Sequence, residues 1–221
     1  MKHLILKDVK VLSIANILMP LIWWLLSYNV KTRGNTLYAK STFFIFIFIM
    51  ILFISFLLAR YDDNSNIDVT LNSLPIDRKT IVRARYISIA LYTIFISIGF
   101  FIVFNLGYTR FARIIGSIST NLFDILFVFG VASIFYSFYL PLYYFDLGKA
   151  KNFNEMFIGI LIIIPVLILK YKDKLQSIEL INTLFNTGFN NFALIVVAIG
   201  IVLYLLSLQL SKLIYNSKEF L

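Results

Sequence analysis

The sequence contains no cysteine and a single histidine, His3. Disulfide bonds and thiolate metal ligands are therefore excluded, and the common zinc sites, which combine several His and Cys ligands, cannot be assembled within the chain. Charged side chains are also scarce, because Asp, Glu, Lys and Arg together make up 14% of the residues. Soluble domains average about 25% charged residues, so this composition argues against a soluble protein.

Apolar residues are in excess, at 60% of the sequence with 23 phenylalanines. They fall into six runs, each long enough to cross a bilayer as a helix of about 20 residues, although the fifth only just reaches that length. We therefore predict an all-α, polytopic membrane protein with six transmembrane helices in one integral membrane domain, residues 1–221. The runs cover residues 11–28, 41–59, 86–106, 121–142, 153–169 and 192–210.

The distribution of basic residues predicts the orientation in the membrane. Six spans place both termini on the same side, and the segments on that side carry twelve Lys and Arg residues against eight on the other. Because cytoplasmic loops are enriched in Lys and Arg, we predict both termini in the cytoplasm and a location in the cell membrane. The net charge of +9 is spread over these short loops, which suits contact with anionic lipids and does not indicate a nucleic-acid-binding domain.

Two polar segments have the pattern of short surface helices. Residues 1–10 place apolar side chains against Lys7, Asp8 and Lys10, which predicts an interface helix before the first span. The alternative is a basic flank that only fixes topology. On the outer side, residues 170–191 carry Leu175, Ile178 and further apolar residues at helical spacing, which predicts a helical loop.

The longest interruption on the predicted cytoplasmic side is residues 60–85. Pro75 disfavours helix at the residue before it, while Asp77 is a suitable N-cap for a helix that restarts there. Leu74 and Ile76 would form an apolar tip on a rigid turn, a shape that suits docking onto another protein. A simpler interpretation of the basic residues is that they hold the third span at the lipid headgroups; these residues are Arg78, Lys79, Arg83 and Arg85.

The sequence offers little for catalysis. No His-Glu-x-x-His, Gly-x-Ser-x-Gly or Gly-x-Gly-x-x-Gly pattern occurs, and no phosphate-binding Gly-x-x-x-x-Gly-Lys loop occurs either. Asp124 lies inside an apolar run, where a helix-capping role is favoured over a ligand contact. Gly130, Ser133 and Ser137 would allow another helix to approach closely. We therefore expect no enzyme and no cofactor bound by this chain.

Two segments carry a resemblance to a known family. LILKDVK near the start and LNSLPIDRKTIVRARY between the second and third runs, together with six spans, resemble permease subunits of type-2 ABC transporters over nearly the whole chain. The resemblance implies a separate subunit that binds and hydrolyses ATP and a second permease subunit, identical or different. It also implies a cytoplasmic coupling helix at residues 71–81. The ATPase-coupling residues would be Leu74, Pro75, Ile76, Asp77, Arg78 and Lys79.

The nearest resemblance within that family is to membrane subunits of exporters for phenol-soluble modulins, which are short amphipathic toxin peptides. It implies a chain that forms half of a translocation path for such peptides or for other hydrophobic compounds. The alternative from another class is a membrane immunity or scaffold protein that does not transport and binds a partner through residues 60–85.

Overall fold

A computed structural model describes residues 2–11, 36–64, 77–111, 121–170 and 189–218 of the chain. These residues form six helices and no strand. The helices are α1 (Lys2–Val11), α2 (Thr36–Asn64), α3 (Arg78–Phe111), α4 (Leu122–Phe145), α5 (Leu147–Lys170) and α6 (Phe189–Ser217). The all-α class predicted from the composition is confirmed for this part of the chain.

Local sequence signals set the ends of α4. Asn121 and Asp124 form a capping box at its start, in which the Asp124 carboxylate accepts the Asn121 backbone N–H at 2.7 Å. This bond supports the capping role predicted for Asp124 and satisfies a backbone donor that has no partner within the helix. At the other end, Asp146 is extended and its carboxylate accepts the Gly148 N–H at 2.8 Å. The carboxylate of that single residue therefore opens α5.

Helix α4 lies at the centre of the bundle and packs against α2, α3, α5 and α6. Its side toward α2 is aromatic: the ring of Phe127 lies edge-on to that of Phe44. Further along, the Tyr136 hydroxyl donates to the Ile51 carbonyl at 2.9 Å, and the Tyr139 hydroxyl donates to the Ser55 carbonyl at 3.2 Å. The phenol groups are thus satisfied inside an apolar interface, as buried tyrosines require.

The closest approach is between α4 and α6, at two glycines. A Cβ added to Gly200 would lie 2.6 Å from the Gly130 carbonyl oxygen and 3.2 Å from Ser133 Cβ. A Cβ added to Gly130 would lie 2.8 Å from the backbone nitrogen of Val197. The close approach predicted for Gly130 and Ser133 is present, and Gly200 supplies the facing surface.

Ion pairs and hydrogen bonds bring one end of every described helix together. Arg85 near the start of α3 contacts residues near the ends of α1, α2 and α4. Lys151 near the start of α5 pairs with Asp63 at the end of α2, and Arg78 at the start of α3 contacts the end of α6. We call this the charged end. The segments for which the charge distribution predicts one side of the membrane thus meet at one end of the bundle.

Large apolar side chains face outward along the helices. On α3 they follow a helical stripe, and most of the outward surface of α6 is also aliphatic. By length and composition, three of the described helices contain a stretch that could cross a membrane: Arg78–Gly99, Leu122–Phe145 and Phe189–Ser217. Such surfaces suit lipid rather than water. The stripe on α3 comprises Ile87, Leu91, Ile94, Phe95, Ile98 and Ile102.

The predicted apolar runs and the helices agree in part. The five runs from residue 41 onward lie in α2 to α6, with Asn121 as the N-cap of α4, whereas residues 12–28 of the first run and most of the predicted outer loop 170–191 lie outside the described residues. The six-span topology therefore stays a prediction. Several helices extend beyond the predicted runs; α2, for example, continues to Asn64, five residues into the segment assigned to the loop, because Asp62 is ion-paired there and its charge does not interrupt the helix.

Candidate functional site

Arg85 occupies the centre of the charged end and bonds to three other helices. One guanidinium nitrogen donates to Asp8 Oδ1 on α1 at 2.8 Å. The other donates to Asp62 Oδ2 on α2 and to the Tyr143 hydroxyl on α4, the latter at 3.1 Å. Tyr143 also donates to Asp62. The rigid fork of donors on arginine makes this multiple contact possible.

Lys7 completes the cluster and balances its charge. Its ammonium lies 3.7 Å from Asp8 Oδ1 and 3.6 Å from Asp62 Oδ1, so two cations face two carboxylates. Within the described residues Asp62 Oδ1 accepts no hydrogen bond, and Lys7 is the cation beside it. We call Lys7, Asp8, Asp62, Arg85 and Tyr143 the ion network.

Three charged members of the ion network are buried, and this determines its energetics. Asp8 is 4% exposed, while Asp62 and Arg85 are each 7% exposed. Taking charges out of water costs several kcal/mol per ion, and only their mutual attraction and complete hydrogen bonding offset that cost. Removing one member would leave an uncompensated charge. The three buried charges therefore depend on one another.

Two members of the network flank the segment that the sequence singled out. Asp62 lies at the end of α2 and Arg85 in the second turn of α3, and the chain between these helices is residues 65–77. Leu74, Pro75 and Ile76 lie outside the described residues, so their predicted turn is not described. Because Asp62 and Arg85 are bonded, the helices on either side of that segment are joined by one buried contact. We call this contact the base of the loop.

Asp77 opens α3 as the sequence predicts. Its carboxylate accepts the Lys79 backbone N–H at 3.3 Å, and its carbonyl accepts the Thr80 N–H at 2.9 Å. This is N-cap geometry, which satisfies donors in the first turn of the helix. The Lys79 side chain is exposed, so it is accessible to a partner.

Arg78 forms hydrogen bonds within the chain. Its guanidinium donates to the carbonyls of Asn216 at 3.3 Å and Lys218 at 3.0 Å, at the end of α6. Cations are favoured near the unpaired carbonyls of a helix C-terminus. Among the residues predicted for ATPase coupling, Arg78 therefore also fastens α6 to the start of α3.

The same two helices share a second polar contact further along α3. The Tyr86 hydroxyl lies 2.7 Å from Ser207 Oγ and 2.7 Å from Ser211 Oγ. In return, the Tyr204 hydroxyl donates to the Tyr86 carbonyl at 2.8 Å. These bonds fix α6 against α3 beside the ion network, which makes the charged end a single packed unit.

Sequence reasoning found some of these residues and missed others. Lys7 and Asp8 of the predicted interface helix belong to the ion network, whereas Lys10 is exposed. Arg85 was assigned to the lipid headgroups in the simpler interpretation; it is instead buried and ion-paired, because two carboxylates compensate it. Asp62 and Tyr143 were not singled out. The available signal was the acidic residues before the loop and the basic residues after it.

The arrangement can transmit force but has no evident catalytic chemistry among the described residues. The carboxylates of the ion network are held by cations, and no group of three or more His, Cys, Asp or Glu side chains able to hold a metal occurs in this part of the chain. What the geometry provides is a stiff base for one loop, linked to all six described helices.

Comparison with protein families agrees with this description. The model of the ABC-2 family transporter proteins matches residues 3–216 of the chain, which covers the ion network and every described helix almost completely. No curated protein and no solved structure shows a significant match. The match supports the resemblance to type-2 ABC permeases at the level of the family and does not distinguish among substrates. The chain belongs to the ABC-2 family of transporter proteins, as a membrane component of an ABC transporter.

Proposed function

We propose that this chain is the permease subunit of an ATP-driven exporter and forms half of a translocation path. The family match supports the transport role. The sequence has no phosphate-binding loop, so the energy comes from a separate ATPase subunit, and a second permease subunit, identical or related, completes the path.

The observation that carries this proposal is the bonded base of the loop. Asp62 and Arg85 join the two helices that the loop connects, and both are buried. A partner that pushes on residues 65–76 therefore acts on α2 and α3 together. Exposed Lys79 beside the loop offers a polar contact for that partner.

The mechanism follows from thermodynamic linkage. ATP binding can change the permease only if the ATPase binds its alternative arrangements with different affinity. We assign this contact to Leu74 and Ile76, which fill an apolar cleft on the ATPase, and to Pro75, which fixes their turn. Asp77 and Lys79 orient the contact. A flexible loop would not transmit the difference.

The proposed substrates are amphipathic peptides of the phenol-soluble modulin type or other hydrophobic compounds. The resemblance noted above suggests them, and the apolar surfaces along the helices are compatible with a greasy cargo. We place both termini in the cytoplasm of the cell, so that residues 60–85 face the ATPase. The substrate then enters from the cytoplasm or the inner leaflet.

Coexpression with candidate ATPases tests the proposal. We expect an ATPase to copurify with the chain and its hydrolysis rate to rise in the complex. Replacing Leu74-Pro75-Ile76 by Gly-Ser-Gly should abolish both effects while membrane insertion persists. The same replacement of residues 178–180 in the predicted outer loop is the matched control and should leave both unchanged.

Failure of every candidate ATPase to associate would contradict the proposal. A membrane immunity or scaffold protein would then be the better account, and binding of its partner would survive without ATP. Association that is unaffected by the Gly-Ser-Gly replacement would retain the permease assignment but place the ATPase contact elsewhere on the chain.

A further inference from the structure

We propose that Arg85 is a positioning residue that fastens the N-terminal helix α1 to the base of the loop, so that α1 moves with α2, α3 and α4 as one body. The inference rests on the proposed function, since it concerns how displacement of the loop reaches the rest of the permease. It assigns α1 a role in transmitting displacement of the loop, and Arg85 is the side chain that couples α1 to the loop.

The bonding of α1 supports this assignment. A helix of ten residues is marginal on its own, because isolated helices shorter than about 12–15 residues rarely persist in water. The attachments of α1 include the partly buried Leu4 and the charges of Lys7 and Asp8. Asp8 bonds to Arg85, and Lys7 lies beside Asp62. Arg85 and Asp62 thus hold α1 through two of its side chains.

The position of the network relative to the loop makes it sensitive to displacement. Asp62 lies near the end of α2 and Arg85 near the start of α3, with residues 65–76 between these helices. A force on the loop that changes the spacing of α2 and α3 acts first on the Asp62–Arg85 pair. Because Arg85 also holds Asp8 and Tyr143, the same displacement reaches α1 and α4.

The energetics disfavour partial opening of the network. Asp8, Asp62 and Arg85 are buried, so separating Arg85 from either carboxylate would leave a buried charge without that partner. Apolar packing of similar volume often stabilises a protein as well as a buried ion pair does. The network is therefore better explained by the geometry that it enforces than by the stability that it adds.

Distance measurement between two spin labels tests the inference on the complete complex. The chain has no cysteine, so the variants Leu6→Cys on α1 and Phe145→Cys at the end of α4 introduce the two attachment sites. Both positions are exposed. Distances would be measured in the ATPase complex without nucleotide and with a non-hydrolysable ATP analogue.

Two adjacent carboxylates at the end of α2 provide the variant and its control. Asp62→Asn weakens the buried network, whereas Asp63→Asn removes the partner of Lys151 at a site where Asp63 is 53% exposed. In wild type and in Asp63→Asn we expect one narrow distance distribution in each nucleotide state. In Asp62→Asn the distribution should broaden, and export per ATP hydrolysed should fall about tenfold or more.

A second variant distinguishes loss of the network geometry from misfolding of the chain. Arg85→Lys keeps the charge balance, but a single ammonium lacks the fork that holds Asp8 and Asp62 together. We expect it to assemble with the ATPase and to hydrolyse ATP, yet to show the same broad distribution and the same loss of export per ATP. A purely structural role would instead leave that ratio unchanged in every assembled variant.

The outcomes separate this inference from the proposed function. Narrow distances and normal export per ATP in both Asp62→Asn and Arg85→Lys would overturn the inference while leaving the permease assignment in place. Equal broadening in Asp63→Asn would overturn it too. If no ATPase associates even with the wild-type chain, the proposed function fails and the inference fails with it.

Discussion

Individual residues at the charged end combine burial with charge in a way that few of the described residues do. Asp8, Asp62 and Arg85 are each less than 10% exposed, and each compensates another. By contrast, Lys151 and Asp63 form an ion pair at the surface of the same end, where solvent screens them. The two sets share helix α2, where Asp62 and Asp63 are adjacent, so they provide paired tests of what burial does to an ion pair.

Arg85→Met should lower the free energy of unfolding by about 3–5 kcal/mol, because it leaves two buried carboxylates with only Lys7 to compensate them. The measurement is titration with a denaturing detergent, followed by the loss of helical circular dichroism. Lys151→Met serves as the control.

Lys151→Met removes a solvent-screened pair and should cost less than about 1 kcal/mol. Equal effects of the two substitutions would show that the ion network is no more important to the fold than a surface pair. In that case Arg85 would return to the simpler interpretation as a residue that only anchors the third span.

Tyr86→Phe removes the hydroxyl that both Ser207 and Ser211 contact at 2.7 Å. We expect a loss of about 1–2 kcal/mol, since each net hydrogen bond contributes roughly 0.5–1.5 kcal/mol and each serine can return its hydroxyl to its own helix backbone. The same detergent titration measures it. No change in the transition would mean that aromatic packing against Tyr204 and the bond from the Tyr204 hydroxyl to the Tyr86 carbonyl hold α3 and α6 together here.

Whole elements depend on close backbone contact as well as on side chains. Helices α4 and α6 run in the same direction, with Phe127 near Phe189 at one end and Tyr144 near Tyr215 at the other. Between these pairs the backbones of Gly130 and Gly200 touch. Small residues permit this approach, which dispersion forces reward in a membrane where helix association has little hydrophobic driving force.

Gly200→Ala should push α4 and α6 apart, because its Cβ would lie 2.6 Å from the Gly130 carbonyl oxygen, which is backbone and cannot rotate away. We expect destabilisation of about 1–3 kcal/mol, as in other overpacked sites. Gly159→Ala on α5 is the control, since its Cβ meets no atom within 4 Å.

The Gly159→Ala substitution should leave the stability of the protein unchanged or raise it by up to about 1 kcal/mol, because glycine is unfavourable inside a helix. Thermal melting of the two purified variants in one detergent compares them directly. A Gly200→Ala protein with the same melting temperature as the wild type would show that α4 and α6 are held mainly by the aromatic contacts at their ends.

The helices could be predicted from the sequence better than their partners could. Apolar runs and the Asp77 and Asp124 caps are local signals, and the structure has helices at the five runs that lie within the described residues and caps at both aspartates. The small residues at Gly130 and Ser133 predicted a close approach, but Gly200 lies 70 positions further along, and nothing local pairs them. The burial of Arg85 was missed for the same reason, because its partners Asp8 and Asp62 belong to other helices.

At the scale of the whole molecule, the described helices meet at a charged end and expose apolar faces along their length. The base of one loop, the N-terminal helix and the end of α6 are joined there by Arg85 and Arg78. A partner at this end could therefore move several helices at once. The proposed export function requires both features, the charged end and the apolar faces, of a permease that hydrolyses no ATP itself.

ATP-driven movement of a peptide is the most direct test of the central claim. The chain and its ATPase would be reconstituted in vesicles with a fluorescent amphipathic peptide, and its transport measured with ATP and with a non-hydrolysable analogue. We predict transport that requires ATP hydrolysis and is lost when Leu74-Pro75-Ile76 is replaced by Gly-Ser-Gly. Peptide movement at the same rate without ATP hydrolysis, or unaffected by that replacement, would contradict a permease that is driven through this loop.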